Sequence, residues 1–493
     1  MKGTLLLSIS SMLISMMFFS CQQSDSEETI LSGTINGFAA DSVEITYYKN
    51  DTWESGKNLW IPLDSAGQFT VSLPVNSLKE FRILQSMFVL KTGWKTTMNI
   101  YMNEEGTTDS TTFDGDGAEE NEVYNKNLAL IFGTVDERNK EPGEFIDFMD
   151  SINLELKADV DGLQDADREF VNMLRTNLAY HMMDWWEGYA MGKFDYAGIE
   201  RPDSLKSYSS RFDQLIVFDK AELLNSFIYK NWLDGYFRKM LRKGVDFDAL
   251  REANEGDGEK ARRDYNKKTF NLMLNLADSI ISDKHIKSYV YFIAFNNALS
   301  RNIDLCFIEL VKQSFTDRFE EVVEDTSMTN YIAKKIARLE KLSPGMPAPA
   351  FSFPDITGTQ ISLADFKGKY VYIDVWATWC GPCLRQIPKL KELEQEFGDE
   401  IAFLSISIDH DKEIWHKYVK EKALTGVQIL SLPQKGIISS SSEIMELHTI
   451  EGIPRFIMID PDGNLIDANA SRPSDEKTRK IFEEWTNRNA VDI

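Results

Sequence analysis

The chain has 493 residues, too many for one hydrophobic core, so two or three domains are expected. Its hydrophobic (43%) and charged (27%) fractions are those of an ordinary globular protein. A formal charge of −24 excludes nucleic acid as a partner, since that needs clustered Lys and Arg; the acidity reads as solubility.

Residues 1–21 read as an export signal. Lys2 is a minimal positive start, and an apolar run diluted with serines follows to Phe19. The run is short for a membrane span and no stop-transfer segment follows. It closes on Phe18-Phe19-Ser20-Cys21, which resembles a bacterial lipobox with Phe in place of the usual Leu three residues before the cysteine. The resemblance makes Cys21 a lipid anchor and the mature first residue. Residues 22–28, polar and acidic, then form a flexible tether.

Residues 29–117 alternate apolar and polar side chains, as in Ile30-Leu31-Ser32-Gly33-Thr34-Ile35 and Gly67-Gln68-Phe69-Thr70-Val71-Ser72-Leu73. A small antiparallel sandwich is predicted. Asp114-Gly115-Asp116-Gly117 is similar to the start of a calcium loop but lacks the later ligands, so it reads as a turn. From 118 to 343 the apolar spacing changes to three and four residues, which predicts a helical domain of six or more helices. Met182-Met183-Asp184-Trp185-Trp186 is expected to pack in its core, as is the lone Cys306.

The proline-rich stretch Ser343-Pro344-Gly345-Met346-Pro347 marks a third domain, 344–493. Strands alternate there with helices, and a terminal hairpin precedes a closing helix, which predicts an α/β sheet with helices on both faces. Its apolar strand Tyr370-Val371-Tyr372-Ile373-Asp374-Val375-Trp376 passes into a helix at Trp379-Cys380-Gly381-Pro382-Cys383. A C-x-x-C pair at such a junction can cycle between dithiol and disulfide, and backbone N–H groups at a helix start favour a thiolate. The sequence has four cysteines and no evident structural pair, which suits a protein whose one exchangeable disulfide is the working one.

Residues 344–493 resemble thioredoxin-fold domains of the TlpA/ResA type, exported and membrane-tethered thiol-disulfide oxidoreductases. The likeness rests on the Trp-Cys-Gly-Pro-Cys pentapeptide, on Asp374 six residues before Cys380, on Trp376 and on Pro388. Gly452-Ile453-Pro454 fits the family's cis-proline loop, and the lead-in segment from Gly345 to Phe351 also agrees. The complete arrangement is similar to envelope proteins of the Bacteroidetes.

The resemblance implies roles residue by residue. Cys380 is the exposed, ionised nucleophile and Cys383 the more buried resolving thiol. Asp374 accepts the proton of Cys383. Ile453, beside a cis Pro454, pairs with an extended substrate, and Trp379 covers the sulfurs and adds apolar contact. Two positions depart from the pattern. Gln386 stands where ResA-like proteins often carry Glu, and Arg455 stands where thioredoxins have Thr. A cation at 455 beside the dithiol would favour thiolate and select acidic partners.

The redox-active disulfide Cys380–Cys383 then stands in place of any cofactor. Protein disulfides are the implied substrates and a membrane thiol transporter the electron donor. Gly-Pro between the cysteines favours reduction as the direction. Gln22, where Asp often retains lipoproteins at the inner membrane, favours the outer membrane, facing periplasm or surface. Zinc is disfavoured by a single C-x-x-C. Two further readings stay open: a lipid-tethered binding protein using this domain as scaffold, and a peroxiredoxin-like peroxidase.

Overall fold

The structure is a computed structural model that describes residues 28–489, apart from 39, 48–56, 74, 76, 105, 133–138, 164, 214–215, 302–304 and 433–441. The leader, Cys21 and nearly all of the tether lie outside the described residues, as does the side chain of Cys306.

Eight strands open the chain: β1 (Thr29–Asn36), β2 (Ser42–Tyr47), β3 (Lys57–Pro62), β4 (Gln68–Leu73), β5 (Lys79–Ile83), β6 (Ser86–Leu90), β7 (Lys95–Met102) and β8 (Thr108–Gly115). They form two four-stranded sheets, ordered β4-β1-β7-β8 and β3-β2-β5-β6. Alternate residues of both sheets, including Leu31, Met98, Ile45 and Phe81, share one apolar cluster. The expected purely antiparallel pairing needs correction, because β1 and β7 run parallel. The chain crosses to the other sheet between them, and that long connection lets β7 return in the direction of β1. A Cβ on Gly33 would lie 1.8 Å from the Met98 carbonyl oxygen, so this close pairing admits only glycine. Asp116 closes the segment as a turn, its carboxylate accepting the Lys95 N–H at 2.8 Å.

Helices follow: α1 (Ala118–Phe132), α2 (Pro142–Gly162), α3 (Arg168–Lys193), α4 (Asp203–Asp213), α5 (Phe227–Gly244), α6 (Phe247–Ala253) and α7 (Gly258–Ile280). Then come α8 (Lys284–Arg301), α9 (Leu305–Ser314), α10 (Glu320–Val322) and α11 (Thr326–Glu340). Aspartates start several of them. Asp167, Asp246 and Asp325 each accept backbone N–H groups of the first turn of α3, α6 and α11. Met182, Met183 and Trp186 are buried, so the cluster on α3 packs inward.

The last third contains β9 (Ser352–Pro354), β10 (Gln360–Ser362), β11 (Tyr370–Trp376), α12 (Gly381–Leu384), α13 (Ile387–Phe397), β12 (Ile401–Ser407) and α14 (Lys412–Glu421). It ends with β13 (Val427–Leu430), α15 (Glu443–Leu447), β14 (Arg455–Ile459), β15 (Leu465–Asp467) and α16 (Glu476–Asn489). The sheet order is β13-β12-β11-β14-β15. β11, β12 and β13 are parallel, whereas β14 and β15 are antiparallel to their neighbours. Buried strands of this kind need helices on both faces, and they have them. On one face, Tyr372, Phe403 and Phe456 pack against Leu393 and Phe397 of α13 and Phe482 and Trp485 of α16. On the other, Ile373, Val375, Ile406 and Ile457 join Trp415 of α14 and Ile444 of α15. That second cluster continues without a break into Ile332, Ile336 and Leu339 of α11 and on to α5, α7 and α8.

Candidate active site

Buried strand β11 carries two residues that point to opposite faces at its C-terminal end, Asp374 and Val375. Beyond it the chain turns through Ala377-Thr378-Trp379 into α12. Cys380 is the N-cap of that helix: its sulfur accepts the Cys383 N–H at 3.2 Å, and its carbonyl oxygen accepts from Leu384 N–H at 3.0 Å. Cys380 and Cys383 are joined as a disulfide, with Cα atoms 5.3 Å apart.

The helical stretch after Cys380 is broken into α12 and α13, with Pro388 in the first turn of the second. Proline has no N–H to give the carbonyl four residues back, so the ladder cannot continue through it. The dipole beneath Cys380 is therefore that of a single turn, and the local N–H contact to sulfur matters more than helix length. Cys380 is also buried rather than exposed: 5% of it is accessible, against 2% of Cys383. In the disulfide its sulfur is turned inward to its partner, and the order of burial is still the one expected.

Asp374 is 4% exposed and its Oδ1 has no hydrogen-bond partner. Burial alone lifts its carboxyl to about 8. It borders a cavity of about 20 Å3 with Ser405, Gln428 and Glu394, room for one water molecule. Burial raises the Glu394 carboxyl as well, while Thr425 donates to it and lowers it.

Ile453–Pro454 is a cis peptide bond. Among the described residues the main chain of Ile453 makes no hydrogen bond. Trp379 is 63% exposed, an unusual setting for an indole. Gln386 is buried, with its side-chain oxygen accepting the Ser474 N–H at 3.1 Å.

Arg455, the first residue past the cis-proline, is buried. It pairs with Val375 across the sheet, so strand alternation sends it to the face opposite Asp374. It is 9% exposed there and its guanidinium donates to the Ala468 carbonyl at 3.5 Å. Burial pulls it below its ordinary value. It faces the buried His448, whose ring is held near 4 chiefly by burial and secondarily by this cation.

Sequence reading missed Asp409, just past β12. It is 2% exposed, yet its carboxylate accepts from the Thr378 N–H (3.2 and 3.1 Å), the Thr378 hydroxyl (2.7 Å) and the Ser407 hydroxyl (2.7 Å). This carboxylate pins the turn immediately before Trp379 and Cys380. The only available signal was an acid closing an apolar strand. Replacing Asp409 with Ala leaves these donors unmet in a buried site, so we expect a loss of about 2–4 kcal/mol in chemical denaturation. A loss within experimental error would remove Asp409 as the anchor of the turn.

Among the described residues, no group of three or more His, Cys, Asp or Glu side chains could hold a metal ion.

A C-x-x-C disulfide at the start of a helix, just past a strand bearing a buried carboxyl, in a domain with a cis-proline loop, defines a thioredoxin-like redox domain. Residues 343–484 match the Redoxin family. The thiol-disulfide oxidoreductase ResA of Bacillus thuringiensis subsp. konkukian is 29% identical over 147 residues, covering 30% of this chain and 78% of ResA. ResA of Bacillus subtilis is 24% identical over 128 residues, covering 26% and 67%. Among solved structures, the thioredoxin domain of a thiol-disulfide oxidoreductase from Bacteroides vulgatus is 30% identical, covering 29% of this chain and 99% of that one, with a TM-score of 0.26. The C-terminal domain is thus of the TlpA/ResA-like thiol-disulfide oxidoreductase type.

Proposed function

We propose that this protein is a lipid-anchored envelope reductase of protein disulfides, working through the Cys380–Cys383 pair with no other cofactor. The Cys380 thiolate attacks one sulfur of a substrate disulfide; the other substrate sulfur leaves as a thiolate and takes up a proton. Cys383 passes its proton to Asp374, attacks the Cys380 sulfur and expels the second substrate thiol. Two electrons have then moved to the substrate, and the Cys380–Cys383 disulfide is re-reduced by a membrane thiol donor. A single observation carries this reading: the cysteine pair sits at the N-terminus of α12, just past the strand that bears a buried carboxyl held near 8. A base of that strength is matched to a thiol of ordinary pKa, about 8.5.

The substrate lies along the open main chain of Ile453, beside Pro454, with Trp379 as apolar contact. Arg455, one residue past Pro454, is buried, so its cation bears on substrate choice through its charge rather than by contact. The folded units are 29–117, 118–343 and 344–493, with residues 22–28 as tether and Cys21 as the lipid site. The envelope location, with the outer membrane favoured over the inner, follows from that anchor and Gln22; among the described residues no helix is long and apolar enough to cross a membrane.

Redox titration tests the direction. Equilibration with thiol–disulfide buffers is expected to give a potential near that of reducing thioredoxins, about −270 mV. A value above about −180 mV, the range of isomerases and oxidants, would reverse the assignment.

A further inference from the structure

α11 belongs to the helical region, yet it stands against the segment that leads into Pro454. Lys335 is 5% exposed, and its ammonium bonds Asn296 Oδ1 at 2.7 Å, Ser300 Oγ at 2.9 Å and the carboxylate of Glu451. A buried ammonium is tolerated only with partners of this kind. It ties α8 and α11 to a residue three positions before Pro454. Beside this tie runs a cleft of about 590 Å3, walled by Tyr331, Lys334 and Arg338 of α11 and by Glu446, Thr449 and Glu451 of the facing segment.

The charges in the cleft do not cancel. Glu451 is engaged by Lys335, and Glu446 is not free. Lys334 and Arg338, one helical turn apart and both exposed, have no ion-pair partner among the described residues. In a chain with a formal charge of −24 this is a local reversal of sign.

We propose that α11 completes the polypeptide groove of the redox site, and that the cleft takes an acidic stretch of the substrate flanking its disulfide cysteine. The proposal rests on the reading that substrate docks along Ile453 and Pro454, because Glu451 of the cleft wall stands two residues before Ile453 in the chain. It gives the helical region a share in substrate choice: Lys334 and Arg338 are specificity residues that touch the substrate away from the sulfurs. They leave the exchange chemistry itself untouched.

The test uses the full chain, prereduced, in single-turnover stopped flow. Three disulfides are compared: a cysteine peptide flanked by Asp and Glu, the same peptide flanked by Lys and Arg, each as the thionitrobenzoate mixed disulfide, and uncharged hydroxyethyl disulfide. The acidic peptide is expected to react about tenfold faster than the basic one at low salt, two exposed charge pairs supplying that factor. The preference should shrink in 0.5 M salt. In the Lys334→Glu, Arg338→Glu double variant the preference should vanish or invert while hydroxyethyl disulfide reacts at the wild-type rate. Equal rates for the two peptides in wild type, or a preference that survives the double variant, would overturn the proposal. If prereduced wild type reacts with none of the three disulfides, the exchange reading itself fails and the groove with it.

Discussion

Cys380→Ser is expected to abolish turnover, lowering the rate of insulin reduction with dithiothreitol by on the order of 1000-fold or more. The serine hydroxyl keeps the N-cap contact to the Cys383 N–H, so the helix start should survive. What is lost is the ionisable sulfur, and a hydroxyl at that position stays protonated and inert toward a disulfide. Cys383→Ser should behave differently. Its Cys380 can still attack, but nothing resolves the adduct, so the protein should accumulate as a mixed disulfide that a nonreducing gel displays directly. Equal turbidity rates for wild type and Cys380→Ser would show that the domain is a scaffold and not the reductant.

Asp374→Asn carries the second large effect, and it has two faces. In kinetics, the variant should lose about 100-fold in the resolving step, because it removes the group that takes the Cys383 proton. It should also lose the rise in rate that accompanies ionisation of Asp374 near pH 8. In stability, the sign is reversed. The folded carboxyl is raised to about 8 from an unfolded value near 3.9, so from about pH 4 to pH 8 the unfolded chain binds fewer protons than the folded one. Native stability contributed by this site therefore falls as pH rises through that window and levels off above it. The oxidised Asn variant should match wild type closely at pH 4 and exceed it at pH 9, by on the order of a few kcal/mol. Thermal melts of both oxidised proteins at the two pH values measure this directly. A stability difference independent of pH would mean that Asp374 is not buried in its neutral form.

Much of the redox domain was legible because its signals are local. β11 is a continuous apolar run, α12 is marked by two cysteines and Pro382, and the hairpin β14–β15 is announced by Asp460-Pro461-Asp462-Gly463. What escaped the sequence depends on partners far along the chain. β8 has one buried residue, Phe113, among exposed threonines and aspartates, and it is a strand only because β7 supplies its hydrogen bonds. The parallel pairing of β1 with β7 depends on the path of the intervening chain and leaves no mark in either strand. Arg455 illustrates the parity problem: its pairing with Val375 puts it on the face opposite Asp374, because side chains alternate along β14. Asp409 looked like any acid after a strand, and its role appears only once Thr378 is brought within hydrogen-bond reach across 31 residues.

The apolar cluster shared by α11 and the sheet has a mechanical consequence. Ile332, Ile336 and Leu339 occupy the same core as Ile373 and Ile457, so turning the redox head against the helical body would uncover apolar surface that is buried between them. Any cargo gripped by that body would be offered to the sulfurs at one fixed bearing. Reorienting it would require the grip to be released.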